Sequence, residues 1–181
     1  MARSARMALG LAIVAACCTG SAALAAATSK PWGGGQSASK PPRELLGRGA
    51  YSHFETIPTR WNDMDAQSHV NNAVYHFYID DAVNLHLARS GVSNDVRRFT
   101  SENSCRYLRQ LSWPTPVEIG MRVRLGRASA AYQLGLFAEG ETDASAIGTF
   151  THIYVDDRGK PCRMDEGVRA ALEPLVPDDG L

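Results

Sequence analysis

The stretch Thr59-Arg-Trp-Asn-Asp-Met-Asp-Ala-Gln-Ser-His-Val-Asn-Asn-Ala-Val-Tyr-His-Phe-Tyr78 is where the chain changes from one local pattern to another. Just before and into it, Tyr51–Trp61 reads as an extended strand, and Asn62–His69 is polar and turn-like. Asn71 or Asn72 can then cap a helix, because a short side-chain oxygen accepts a bond from an otherwise orphaned backbone amide. The helix is predicted to run from about Ala73 to Arg89. Tyr75, Tyr78, Ala82 and Leu85 recur at three- and four-residue spacing, with Val74, Phe77 and Ile79 widening the apolar stripe. Gly91 supplies the C-terminal stop, and Arg89 is favourably placed in the last turn.

Beyond the helix the period falls to two. In Val117-Glu-Ile-Gly-Met-Arg-Val-Arg-Leu125 every odd position is apolar, the pattern of a half-buried strand. Phe99–Trp113 is a longer strand candidate that ends at Trp113-Pro-Thr-Pro116. Tyr132, Leu134 and Leu136 mark another, and Ala144–Val155 is the last, closed by the turn Asp156-Asp-Arg-Gly159. Val168–Leu175 is expected to add a short terminal helix. One long helix followed by a meander of strands implies an α+β fold, an antiparallel sheet wrapped around that helix. Such a sheet would leave edge strands and an apolar back face exposed.

The quoted stretch also carries a motif. Arg60-Trp61, Asp63, Asp65, His69-Val-Asn-Asn72, Tyr75 and Tyr78 resemble the 4-hydroxybenzoyl-CoA thioesterase-like branch of the hot-dog superfamily. That branch has a strand ending in Arg-Trp/Tyr, then Asp-x-Asp-x-x-Gly-His-Val-Asn-Asn, then a Tyr-rich helix. The likeness continues through the meander to Gly159-Lys-Pro161, so it covers roughly residues 51–175. Ser68 stands where the family usually has Gly, so the backbone there must adopt a conformation that Ser can tolerate.

The resemblance implies a hot-dog domain at about residues 51–176 that hydrolyses acyl-CoA thioesters. It puts the catalytic carboxylate at Asp65, just ahead of a helix N-terminus where free amides and the helix dipole favour negative charge. By the same correspondence the Asn72 amide stabilises the oxyanion, and losing one such donor typically costs ~10²–10³ in turnover. Asp65 would attack the carbonyl itself or activate a water. His69 is a second candidate base. Asn71, Tyr75 and Tyr78 are expected at the substrate, while Asp63 is expected to be structural, pairing with Arg60. Asp80 or Asp81 could be the acid that another hot-dog branch carries on its helix. The resemblance implies no metal or redox cofactor, and a homodimer or homotetramer with active sites between subunits. A hot-dog hydratase or dehydratase using His69 with Asp65, and a non-catalytic acyl-binding domain, are the competing readings.

Composition limits the partners. Five cations and no acid precede Glu44, whereas the rest carries 14 basic against 19 acidic residues, a net −5. No broad basic field exists to displace phosphate counterions, so the folded part is not expected to bind nucleic acid. Local basic groups at Arg97-Arg98, at Arg106 with Arg109, and at Arg122, Arg124 and Arg127 are the places where CoA phosphates could sit. The four cysteines show no C-x-x-C spacing, so a zinc or disulfide framework is not indicated.

Residues 1–28 contain an uncharged run, Met7–Thr28, behind Arg3 and Arg6. An organellar transit peptide or a membrane anchor is expected, with a secretory signal cleaved after Ala23-Leu-Ala25 as the alternative. Any membrane contact would come through this segment. Residues 29–50, with Gly33-Gly-Gly35 and Pro41-Pro42, read as a flexible linker, and residues 177–181 as a tail.

Overall fold

The structure, a computed structural model, describes residues 40–178. The expected N-terminal targeting or anchor segment lies outside these residues, and among those described no helix is long and apolar enough to cross a membrane. The elements run β1 (His53–Ile57), α1 (Asn72–Arg89), β2 (Arg98–Tyr107), β3 (Val117–Leu125), β4 (Ser129–Ala138), β5 (Ala146–Tyr154) and α2 (Glu166–Leu172). The strands form one five-stranded sheet in the order β1-β3-β4-β5-β2, and every neighbouring pair is antiparallel.

Helix α1 lies against one face of that sheet. Tyr75, Tyr78, Ile79, Ala82, Val83 and Leu87 are all buried, and the odd positions of β3 from Val117 to Val123 meet them, each 0% exposed. Each fully buried aliphatic side chain contributes about 1.5–3 kcal/mol relative to leaving it in water, so this seam is the main stabilising layer. At Gly148 on β5 an added Cβ would come 2.6 Å from Ile79 Cδ1, so the glycine makes room for the helix. Asn71 is the N-cap, its Oδ1 accepting from the Ala73 amide at 2.9 Å. At the other end the Val92 amide bonds the Leu87 carbonyl and the Gly91 amide bonds the Ala88 carbonyl. Gly91 has φ 77°, which completes a Schellman stop.

Two expectations need correction. Residues 43–50, read as the end of a linker, form two 3₁₀ turns, Arg43–Leu46 and Arg48–Ala50, with Leu45 only 4% exposed. Together with Tyr51 they cover much of the back of the sheet, making a second apolar cluster with Phe137, Ala144 and Ile147. The Tyr51 ring lies on the paired glycines Gly120 and Gly135, where an added Cβ would come within 2.7 and 2.6 Å of it. Its hydroxyl donates to the Leu45 carbonyl at 2.8 Å. Arg122, which faces this side, is 4% exposed and bonded to Gln133 and Glu44.

The second correction is the strand expected over Phe99–Trp113, which ends at Tyr107. Residues 108–116 turn away, and the Leu108 and Arg109 amides both donate to the Ser145 carbonyl. This leaves β2 as the sheet's outer edge and brings its C-terminal end to the start of α1, because Tyr107 Oη donates to the Asn72 carbonyl at 2.9 Å.

Candidate active site

The loop between β1 and α1 is built around Asp63. Its carboxylate is 2% exposed and accepts from the Arg60 amide at 2.7 Å, the Arg60 guanidinium at 3.2 Å and Tyr78 Oη at 2.7 Å. Burial alone would push the Asp63 carboxyl up, but the bonds from Tyr78 and Arg60 outweigh it and hold the group below the ordinary aspartate value. Burial, and then the same bond to Asp63, push the Tyr78 hydroxyl up. The expected Asp63–Arg60 pairing is therefore present. Tyr78, expected to line the substrate pocket, is instead 1% exposed and committed to this anchor. Asn71 is likewise spent on the helix cap, and its own amide bonds the Asp63 carbonyl at 2.8 Å.

This anchored frame presents Asp65. Met64 and Val70 form an antiparallel bridge, and the Asp65 amide donates to the His69 carbonyl at 2.8 Å, closing a five-residue loop. Asp65 Oδ1 accepts from the Gln67 amide at 2.7 Å and the His69 amide at 3.3 Å. Oδ2 accepts no hydrogen bond from the described residues. Turning the chain within five residues requires one left-handed position, and Ser68 occupies it with φ 62°. The family's glycine is missing here, but the conformation it would serve is kept.

Asp65, His69, Val70, Asn72 and Tyr75 line one wall of a cleft of about 450 Å³, and Tyr107 to Gln110 line the other. Tyr75 Oη accepts from the Leu111 amide at 3.3 Å, and its ring meets Tyr107 edge to face at 4.9 Å. Asn72 is the first residue of α1, and its amide donates no bond among the described residues. The cleft thus combines a carboxylate with one unengaged oxygen and a free helix-terminal amide. Cys105, on the adjoining strand, offers no competing nucleophile: burial pushes its thiol up to about 11, so it stays protonated at neutral pH.

Of the sequence-predicted residues, Asp65, His69, Asn72 and Tyr75 come together, whereas Asn71 and Tyr78 support them from outside the cleft. Asp80, whose carboxyl burial pushes up, lines a separate cleft with Asn84, Arg98 and His152. Asp81 is exposed. A larger cleft of about 650 Å³ on the back of the sheet contains Arg122 from the predicted basic groups but none of the predicted catalytic or substrate-binding residues. Tyr107, Leu108 and Gln110 also line the cleft. No pattern in the sequence tells that the end of β2 returns beside the start of α1. Of the three basic groups, only that of Arg106 and Arg109 adjoins the Asp65 cleft, and Arg109 also pairs with Asp143 at 2.9 Å.

The chain belongs to the thioesterase-like superfamily, whose family model matches residues 59–172. It is similar to the PA5185 protein from Pseudomonas aeruginosa strain PAO1, with 38% identity over 74% of this chain and 97% of that one and a TM-score of 0.70. A thioesterase from Thermus thermophilus, complexed with coenzyme A and Zn, is 26% identical over 69% of this chain and 95% of its own, with a TM-score of 0.59. Slr0204, a 1,4-dihydroxy-2-naphthoyl-CoA thioesterase from Synechocystis, has a TM-score of 0.62 over 66% of this chain and 93% of its own. At 9% identity it shares the fold alone. No curated protein sequence matches the chain. Family and architecture together define a hot-dog thioester hydrolase.

Proposed function

We propose that the protein hydrolyses acyl-CoA thioesters to free acid and CoA, with Asp65 as the catalytic carboxylate and the Asn72 amide as oxyanion donor. One observation carries this reading. Asp65 Oδ1 is fixed by two backbone amides, and the unengaged Oδ2 shares a cleft with the unpaired amide that opens α1. Hydrolysis builds negative charge on the carbonyl oxygen, and a preorganised amide at a helix N-terminus meets that charge without reorganising. Oδ2 attacks the carbonyl or deprotonates the water that does. Arg109 at the cleft wall supplies a guanidinium for the CoA phosphates. Tyr107 and Leu108, 44% and 38% exposed at the edge strand, are the surface on which a second copy would complete the cleft.

The experiment is a panel of aromatic, short-chain and long-chain acyl-CoA substrates, followed by thiol release. Release of CoA from at least one class supports the reading. Hydration of an enoyl-CoA without thiol release would replace it with a hydratase.

A further inference from the structure

At the far end of α1 from the Asp65 cleft, a second group of polar side chains has no part in thioester chemistry. Strand periodicity puts His53 and Glu55 on one face of β1, and helical spacing puts His86 and Arg89 on one face of α1. One nitrogen of each imidazole and one Glu55 oxygen lie within 4.8 Å of one another. His53 Nε2 is 2.9 Å from Glu55 Oε1, and the two imidazole centroids are 4.6 Å apart. Glu55 and His86 are 1% and 8% exposed, whereas the His53 side chain is 37% exposed, so solvent reaches the cluster from the His53 side.

A carboxylate buried this deeply needs positive charge beside it. Arg89 bonds Oε2 from an exposed position, and Oε1 is left to His53. His86 Nε2 lies 3.1 Å from the Ala171 carbonyl and therefore donates to it, which leaves the imidazole lone pair on Nδ1. A backbone carbonyl on the second nitrogen is the arrangement that fixes the tautomer of a metal-ligating histidine.

We propose that His53, Glu55 and His86 form a binding site for one divalent transition-metal ion of the zinc class, with solvent as the fourth ligand. Two imidazoles and a carboxylate suit zinc, whereas calcium and magnesium require more oxygen donors than the cluster offers. On binding, the ion takes the place of the hydrogen between His53 Nε2 and Glu55 Oε1, which passes to His53 Nδ1 or to solvent; that 2.9 Å pair opens and the wider ligand separations close, to about 3.4 Å around bonds of ~2.1 Å. Arg89 stays on Oε2, where it orients the carboxylate while opposing some of the ion's charge. The ion would tie β1 to α1 directly and to α2 through Ala171. His86 lies fourteen residues along α1 from Asn72, about 20 Å at 1.5 Å per residue. The ion therefore acts on stability and takes no part in turnover.

The test uses the full chain, stripped with a chelator and titrated with Zn²⁺ and with Co²⁺. One ion per chain is expected, and zinc at a hundredfold excess over its Kd should raise the unfolding midpoint by on the order of 5–10 °C. Bound cobalt should show the d–d bands of a nitrogen and oxygen ligand set without thiolate charge transfer. His53→Gln, which removes the solvent-side ligand, should weaken binding at least tenfold and leave thioesterase turnover unchanged, and His86→Asn should do the same. If His86→Asn does not fold, His53→Gln alone decides. Equal zinc affinity in wild type and His53→Gln, thiolate bands in the cobalt spectrum, or no binding at millimolar zinc would each overturn the proposal.

Discussion

Replacing Tyr78 with Phe deletes a single oxygen and leaves the ring, which is 1% exposed, in place. That oxygen donates at 2.7 Å to the Asp63 carboxylate, itself 2% exposed. A hydrogen bond to a buried charged group is worth about 1.5–3 kcal/mol, and here no water stands ready to replace the lost donor. The expected cost is therefore about 2 kcal/mol at neutral pH, or roughly 5–10 °C in unfolding midpoint for a domain of this size. The pH dependence follows from Asp63. In the wild type its carboxyl is held below the ordinary value, so its contribution is complete above that value and is lost as pH falls towards the folded pKa. Without Tyr78 Oη, burial is opposed by Arg60 alone, and the folded pKa moves up. The gap between the two proteins should thus narrow from pH 7 to pH 3, tending towards about 1 kcal/mol once both carboxyls are protonated and only a neutral hydrogen bond is missing. Urea unfolding of both proteins at pH 7 and pH 3 measures it. Because Asp63 anchors the loop that carries Asp65, turnover should also fall. A neutral-pH difference below about 0.5 kcal/mol, or one that does not change with pH, would refute Asp63 as the electrostatic centre of this loop.

His152 gives a separate pH effect. It is 3% exposed, and burial pushes its imidazole down to about 4 from 6.5, so the unfolded chain takes up the proton first. Stability should therefore fall as pH drops from about 6.5 towards 4, with His152 contributing about 2 kcal/mol of the loss between pH 7 and pH 5. His152→Leu should show a correspondingly shallower decline in urea midpoints over that range. Ser68→Val places a β-branched side chain at φ 62° and should cost about 1–2 kcal/mol while lowering kcat, because the strained loop positions Asp65. Differential scanning calorimetry and steady-state kinetics would read both, and unchanged kcat would show that the loop does not position the carboxylate.

The central helix and the β3 strand were legible because each is governed by one strong periodicity. The predicted Ala73 start is one residue from the observed Asn72, and Val117–Leu125 is reproduced in full. Asp65, His69 and Asn72 share one cleft because they sit within eight consecutive residues around a cap. What escaped depends on contacts distant in sequence. Tyr78 looked like a pocket residue from its place on the stripe, and only the return of the preceding loop shows that Asp63 takes its hydroxyl. Residues 43–50 have the composition of a linker, yet the glycine pair Gly120 and Gly135 makes a flat bed for Tyr51, which bonds back to Leu45. The β2 strand was overextended because Leu111, apolar and 2% exposed, keeps up the pattern after the ladder has ended.

The most direct measurement is the single-turnover rate of Asp65→Asn on the best acyl-CoA substrate, with the unfolding midpoint recorded alongside. Asn can keep the Oδ1 bonds to the Gln67 and His69 amides, so the loop should hold and the midpoint should move by less than about 3 °C. The rate should be at least ~10²-fold lower, the loss of the base or nucleophile itself. A folded Asp65→Asn protein that hydrolyses at the wild-type rate would contradict it.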